Sequence, residues 1–254
     1  MSTLKNRARV FEEMGIGPEW LLRGKTSSAP DRRASEQVVV QNITSEQIPP
    51  SRIFPGFPDI ADWEGLVAAI QGCTRCGLAE TRTNTVPGVG DTRADWLFIG
   101  EGPGYHEDQQ GEPFVGRSGM LLDNMMATLG IQRGDNAYIA NIVKCRASDE
   151  RKKDRPPTSE EATRCLPYLQ WQIEKIRPKI IIALGRTAAV GLLNTGPDVT
   201  MAAMRGKVHY LSVGNTEVPL IVTYHPAYLL RTPMAKKQAW ADLCLAMDTI
   251  DVAG

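Results

Sequence analysis

The chain has 254 residues, 42% of them hydrophobic, enough to bury the core of one α/β domain with appendages, and a two-domain enzyme is not expected. Lysine plus arginine equals aspartate plus glutamate at 29 each, so affinity for nucleic acid must come from a local basic surface and not from the field of the whole protein. Met1–Val10 is polar and basic with no apolar run, and the longest apolar stretch, around Ile180–Leu184, is far too short to span a bilayer, so a soluble cytoplasmic protein with no membrane partner is expected.

The first 59 residues read as an extension. A helical segment over about Leu4–Met14 is followed by the apolar cluster Trp20-Leu21-Leu22, and then by a Ser-, Gln-, Arg- and Pro-rich stretch from Lys25 to about Asp59 that reads as a mostly disordered linker. Trp20, Leu21 and Leu22 are too apolar for a linker and suggest either a docking segment for a protein partner or a segment that packs on the domain. The folded domain is placed at residues 60–254, where apolar runs and periodic segments alternate as βα units do.

Four short apolar runs predict buried strands: Trp96–Ile99, Tyr138–Ile142, Ile180–Leu184 and Leu220–Tyr224. Ser118–Leu129 predicts a helix with Leu121, Leu122, Met125, Met126 and Leu129 on one face and Gly130 as its stop, and that methionine-rich stripe reads as core. A second helix begins at a capping box of Thr158 and Glu161 and ends before Pro178, with Pro167 expected to kink or split it. Lys236–Ile250 supplies the last amphipathic helix. The fold class is α/β, three layers α/β/α around a central, mainly parallel four-stranded sheet. Ligands bind such sheets at the carboxyl ends of the strands, which singles out loops starting at Gly100, Asn141, Gly185 and Tyr224.

The first loop, Gly100 to Gly119, carries six glycines in twenty residues and lies between a strand and a helix, so its backbone can approach a ligand closely and offer N–H groups; a P-loop ending is absent. In a reducing compartment the five cysteines are poor disulfide candidates. Cys73 and Cys76 form a C-x2-C pair, with Cys145 just beyond a strand and Cys165 on the following helix. Four thiolates from two distant segments fit a closed site for zinc or an iron–sulfur cluster, the plainer alternative being two buried cysteines and an incidental pair. Cys244, beside Trp240 and Met247, reads as core. His225 stands at the ligand end of a strand, as either a structural or a functional histidine.

Taken in order, Glu101-Gly102-Pro103-Gly104, Gly111-Glu112-Pro113-Phe114-Val115-Gly116-Arg117, Asn141-Ile142-Val143-Lys144-Cys145-Arg146 and His225-Pro226-Ala227-Tyr228-Leu229-Leu230-Arg231 resemble the motifs of the family 4, iron–sulfur-containing uracil-DNA glycosylases, from about Cys73 to Asp248. The resemblance implies a uracil-DNA glycosylase-like fold, removal of uracil from single- or double-stranded DNA by hydrolysis of its glycosidic bond, a monomer, and a 4Fe-4S cluster on Cys73, Cys76, Cys145 and Cys165, which spacing alone does not distinguish from zinc. It implies Phe114 as the aromatic that stacks on the flipped base and Asn141 as the amide that reads it, accepting from N3–H and donating to O4, where cytosine presents the reverse pattern. His225 and the Gly102 N–H would face uracil O2, Glu107 would lie at the substrate, and Arg117, Leu229, Leu230 and Arg231 at the DNA.

Another glycosylase family has an aspartate general base where this chain has Gly102, which leaves Glu101 and Glu107 as candidates for the water-activating group. The stretch between Cys145 and Cys165 looks longer than in many relatives and carries Arg151, Lys152, Lys153 and Arg155, read either as phosphate contacts or as an ordinary charged loop. It contains no histidine, which argues against the superfamily branch that traps uracil-DNA covalently through a histidine there. A redox or sensor protein without base chemistry would leave Asn141, Phe114 and His225 unexplained together.

Overall fold

The computed structural model describes residues 57–196, 198–213 and 216–252. The expected Leu4–Met14 helix, the Trp20-Leu21-Leu22 segment and all but the last residues of the expected linker lie outside the described residues.

Each apolar run expected as a strand is a strand, because its alternate side chains are taken up by opposite faces of the sheet. The strands are β1 (Val89–Gly90), β2 (Trp96–Gly100), β3 (Ala137–Asn141), β4 (Ile180–Leu184), β5 (Val208–Val213) and β6 (Thr216–Thr223), in the spatial order β1-β3-β2-β4-β6-β5. β3, β2, β4 and β6 are mutually parallel neighbours, while β1 and β5 close the two edges antiparallel. The expectation of a four-stranded sheet is therefore corrected to a six-stranded mixed one. β5 escaped notice because its Val-His-Tyr-Leu-Ser-Val run, half exposed at an edge, never becomes a continuous apolar stretch, and β1 is only two residues long.

Nine helices accompany the strands among the described residues: α1 (Trp63–Gln71), α2 (Leu78–Thr81), α3 (Tyr105–Gln110), α4 (Arg117–Thr128), α5 (Ser159–Ile176), α6 (Arg186–Leu193), α7 (Met201–Met204), α8 (Pro226–Arg231) and α9 (Lys236–Val252). On one face of the sheet Leu97, Ile99, Ile181 and Val222 meet Leu66 and Ile70 of α1, Leu169 and Ile173 of α5 and Leu192 of α6. On the other, Phe98, Ile139, Ile182 and Ile221 meet Leu122, Met125 and Met126 of α4 and Leu243 of α9. These are the three expected layers, and the methionine stripe is core. Burying each such side chain contributes about 1.5–3 kcal/mol. Phe57 also packs on Tyr168, with ring centroids 5.0 Å apart, so packed structure begins slightly before residue 60.

The Thr158–Glu161 capping box opens α5, the threonine side chain accepting from the Glu161 N–H while the Glu161 carboxylate accepts from the Thr158 N–H. α5 then runs from Ser159 to Ile176 as one helix through Pro167, which does not split it. Its length places Cys165 one residue-pair contact away from the strand-end loop that carries Cys145, since the Cys165 Sγ accepts the Lys144 N–H at 3.2 Å. None of the described helices is long and apolar enough to cross a membrane.

Candidate active site

Four neighbouring parallel strands run out at one end of the sheet, and each delivers a piece of the site. β2 ends at Gly100 directly opposite Asn141, the last residue of β3. The Ile142 N–H donates to the Gly100 carbonyl at 2.9 Å and the Val143 N–H to the Glu101 carbonyl at 3.2 Å, zipping the two loops together. A Cβ built on Gly100 would come within 2.4 Å of the Asn141 Oδ1 and 2.7 Å of the Phe114 Cζ, so only the bare Cα lets amide and ring converge there. Asn141 is 2% exposed, and its Oδ1 is buried without a hydrogen-bond partner. A buried acceptor left unpaired costs on the order of 1–3 kcal/mol and marks a place where a ligand donor is expected.

Phe114 holds its ring there at the expense of backbone strain, with φ of 54° in the left-handed region. Such a conformation costs a non-glycine residue roughly 1–2 kcal/mol and needs outside support. Arg133 supplies it: its guanidinium donates to the carbonyls of Pro113 and Phe114, both at 2.9 Å, and is itself gripped by Asp123 and Glu112. Sequence reasoning missed Arg133, whose only signal was an arginine next to a turn glycine.

After β6 the chain turns at His225, the N-cap of α8, whose Nδ1 accepts the Ala227 N–H at 3.2 Å. That bond fixes the tautomer: an accepting Nδ1 carries no proton, so the neutral ring holds its proton on Nε2. Burial, reinforced by the positive charge of Arg231 and opposed by Glu107, lowers the His225 pKa from 6.5 to about 4, so the ring is neutral at pH 7. It stacks on Phe114 with centroids 5.4 Å apart and an interplanar angle of 28°. The geometry thus joins a planar apolar surface, an unpaired acceptor and a neutral N–H donor. Such a set suits a flat heterocycle that offers an N–H on one edge and gains negative charge at a carbonyl oxygen.

Gly102 lies in the same loop, and its N–H has no acceptor among the described residues. A Cβ there would press to 2.6 Å from a Val143 methyl, so a larger residue at this position requires Val143 to move. Glu101, half-buried, accepts the Thr187 hydroxyl of α6. Glu107, expected at the substrate, ties the loop together: its Oε2 accepts the Gly104 N–H at 3.1 Å and its Oε1 the Val115 N–H at 3.1 Å. It positions the glycine loop against the Phe114 segment.

Lys144 was also missed, although a lysine within the buried run from Asn141 to Ala147 was the available signal. Only 1% exposed, it donates to the Asn141 carbonyl at 2.9 Å and the Gln172 Oε1 at 2.6 Å, holding Asn141 from behind. Burial lowers its pKa to about 8, against the opposing pull of Cys165 and Cys145.

Cys73, Cys76, Cys145 and Cys165 line one small pocket against the far side of that segment, with Arg75, Arg82 and Arg164 in its wall. The Cys145 Sγ accepts from Arg82 at 3.2 Å. As free thiols three of them are held protonated by burial, which raises Cys145 and Cys76 and pushes Cys165 up to about 12. Among the described residues no three His, Cys, Asp or Glu side chains converge as they would on a single ion.

On the outer surface, Arg117 at the start of α4 and Arg231 at the end of α8 are exposed. Leu230 is 36% exposed, whereas Leu229 is completely buried in the core between α8 and the sheet. The expectation that Leu229 faces DNA is therefore corrected: a helix alternates its faces, and at this position the inward one was reached.

Residues 87–244 match the family model for the uracil DNA glycosylase superfamily. The chain is 41% identical to a type-4 uracil-DNA glycosylase of Archaeoglobus fulgidus over 70% of its own length and 88% of the relative's. It is 38% identical to a type-4 uracil-DNA glycosylase of Pyrobaculum aerophilum over 72% and 92% of the two chains. For a type-4 uracil-DNA glycosylase of Thermotoga maritima the identity is 43% over 64% and 80%. With a superfamily model spanning more than half of its length and type-4 relatives matched over most of theirs, this chain belongs to the uracil-DNA glycosylase superfamily, among its type-4 members.

Proposed function

We infer that the protein excises uracil from DNA, hydrolysing the bond between base and sugar and leaving an abasic site for base excision repair. The observation that carries this reading is the buried, unpaired Asn141 Oδ1 converging with the Phe114 ring on bare Gly100. A uracil flipped out of the stack would lie on Phe114 and give its N3–H to that oxygen. Cytosine, with an unprotonated N3, would leave the acceptor unsatisfied and be rejected.

In the reaction the C1′–N1 bond breaks with its electron pair going to the base, and a water adds to C1′, the proton it loses finally balancing the uracil anion. The leaving uracil becomes an anion with charge on O2, where a neutral His225 Nε2–H and the Gly102 N–H donate. These donors act most strongly on charge that is small in the ground state, which is what accelerates the chemical step. When bond breaking runs ahead of attack the sugar is strongly electrophilic, so the water needs placement more than deprotonation. Glu101, at the strand end, is the group assigned to that placement, and Glu107 to positioning the loop.

The four cysteines are read as ligands of a 4Fe-4S cluster. Their common pocket, the N–H donors to Cys145 and Cys165 and the nearby arginines suit thiolates that share a negatively charged group. A single zinc would need four sulfurs drawn to about 2.3 Å from one point. The cluster, when bound, ties the α1–α2 segment to α5 and to the loop carrying Asn141. Arg117, Leu230 and Arg231 are assigned to single- or double-stranded DNA. We further assign the protein to the cytoplasm as a monomer, with residues 60–254 as the catalytic domain and residues 1–59 as an extension whose Trp20-Leu21-Leu22 segment docks a partner.

Incubation with a uracil-containing oligonucleotide, alkali cleavage and a denaturing gel test the reading. Strand scission at the uracil position is expected; an intact strand or an alkali-stable protein–DNA adduct contradicts it.

A further inference from the structure

Beyond the pocket, one basic feature remains unabsorbed. Between Cys145 and α5 the chain folds into a compact hairpin: Ser148 and Asp154 form an antiparallel bridge, and the Arg155 N–H donates to the Ala147 carbonyl at 3.0 Å. Its turn is closed by the Asp149 N–H donating to the Lys153 carbonyl at 2.8 Å, and by the Asp149 Oδ1 accepting the N–H groups of Arg151 and Lys153 at 2.9 and 2.8 Å.

Two of its five cations are spent on rigidity. Arg146 grips Asp154 at 2.6 Å and the Lys152 carbonyl at 2.7 Å, and Arg155 makes a two-pronged pair with Glu161 at 2.7 and 2.8 Å. The other three, Arg151, Lys152 and Lys153, are exposed at the tip and make no ion pair among the described residues. Of the two acids in the tip, Asp149 is engaged in the turn, leaving Glu150 against three cations.

The hairpin is fastened to the rim of the pocket. The Tyr105 N–H donates to the Asp154 Oδ2 at 3.3 Å, and the Arg146 guanidinium lies over the Tyr105 ring, 5.1 Å from its centroid. Tyr105 follows Gly104, which Glu107 fixes beside the uracil-reading segment. The hairpin that carries three unpaired cations at its tip is therefore tied to the glycine loop, in a protein whose formal net charge is zero.

We propose that the hairpin of residues 147–157 is a preformed phosphate clamp, in which Arg151, Lys152 and Lys153 engage the DNA backbone next to the flipped nucleotide. The proposal rests on the reading of the protein as a DNA glycosylase and adds to it a second contact surface, remote from Arg117 and Arg231 in the sequence. Because the hairpin is braced before DNA arrives, little ordering remains to oppose binding. The contacts read no bases, so they strengthen binding to any sequence and release counterions.

The test uses the full chain and an undamaged duplex oligonucleotide, with binding measured from low to high salt. The Arg151→Gln/Lys152→Gln/Lys153→Gln variant is compared with wild type and with Lys175→Gln, a change on the α5 face away from the hairpin. Each lost phosphate contact should flatten the plot of log K against log salt by about 0.9, so a slope shallower by about 2 to 3 and at least a tenfold weaker affinity at low salt are expected. Single-turnover uracil release at saturating enzyme should stay within about twofold. An unchanged slope in a variant that melts like wild type overturns the clamp, as does a slope change equalled by Lys175→Gln. If Arg155→Ala, which removes a brace and leaves the tip cations, has the larger effect on the chemical rate at saturation, the hairpin shapes the pocket instead and the clamp is likewise rejected. Failure of the glycosylase reading would show separately, as absence of uracil release by wild type with its salt slope intact.

Discussion

His225 shows how a single local hydrogen bond can determine chemistry. The Ala227 N–H occupies Nδ1, and burial keeps a second proton away, so the ring presents one donor, Nε2–H. Protonation in the folded protein is depressed from 6.5 to about 4, a shift that corresponds to roughly 3 kcal/mol. Between those values the unfolded chain takes up the proton first, so the contribution to stability is full above about 6.5 and is lost as pH falls through about 4. The His225 ring resonances followed by NMR should therefore show no protonation from pH 8 down to 5; a midpoint near 6.5 would contradict the buried neutral donor. Asn141 makes the complementary prediction. Asn141→Ala removes the unpaired acceptor, and should slow uracil release at least tenfold while reducing the preference for uracil over other pyrimidines, measured by competition between oligonucleotides. Slower release with unchanged discrimination would mean that Asn141 does not read the base.

Elements carry these residues to one place, and the sequence disclosed them unevenly. The central strands were legible because each is a short run buried on both sides, and α4 and α5 because an apolar stripe or a capping box marks their ends. The edge strand β5 was not, since half of its side chains face water. Asn141 and His225 stood out as motif residues at strand ends, and Phe114 as a motif residue of the glycine-rich loop after β2. Arg133 and Lys144 did not, because their value lies in contacts that the fold makes: a strained carbonyl 19 residues back for the first, and for the second a buried bridge from the Asn141 carbonyl to Gln172, 28 residues on. The Leu229 expectation failed for a simpler reason, in that adjacent helix positions point to different environments. At this scale the cysteine cavity makes its own prediction. Cys145→Ser should lower the iron content and the melting temperature, while uracil specificity of the surviving folded protein changes little. Wild-type protein prepared without air should be brown and contain about four irons; colourless protein loaded with zinc would contradict the cluster assignment.

For the molecule as a whole, the sheet is a rigid platform whose parallel strands end in a cluster of polar groups, and the layers behind that platform hold the groups in place before the base arrives. Preorganisation of this kind matters most for a reaction whose leaving group acquires charge only as the bond breaks. The proposed chemistry therefore depends on stabilisation of the departing uracil by a neutral His225. The direct test is single-turnover release of uracil at saturating enzyme by His225→Ala beside wild type, with DNA affinity measured in parallel. By comparison with loss of one oxyanion donor elsewhere, the rate should fall roughly 100- to 1,000-fold while affinity stays within a few-fold. A variant that releases uracil at nearly the wild-type rate would contradict the account and shift the stabilising role to the Gly102 backbone or to a glutamate of the first loop.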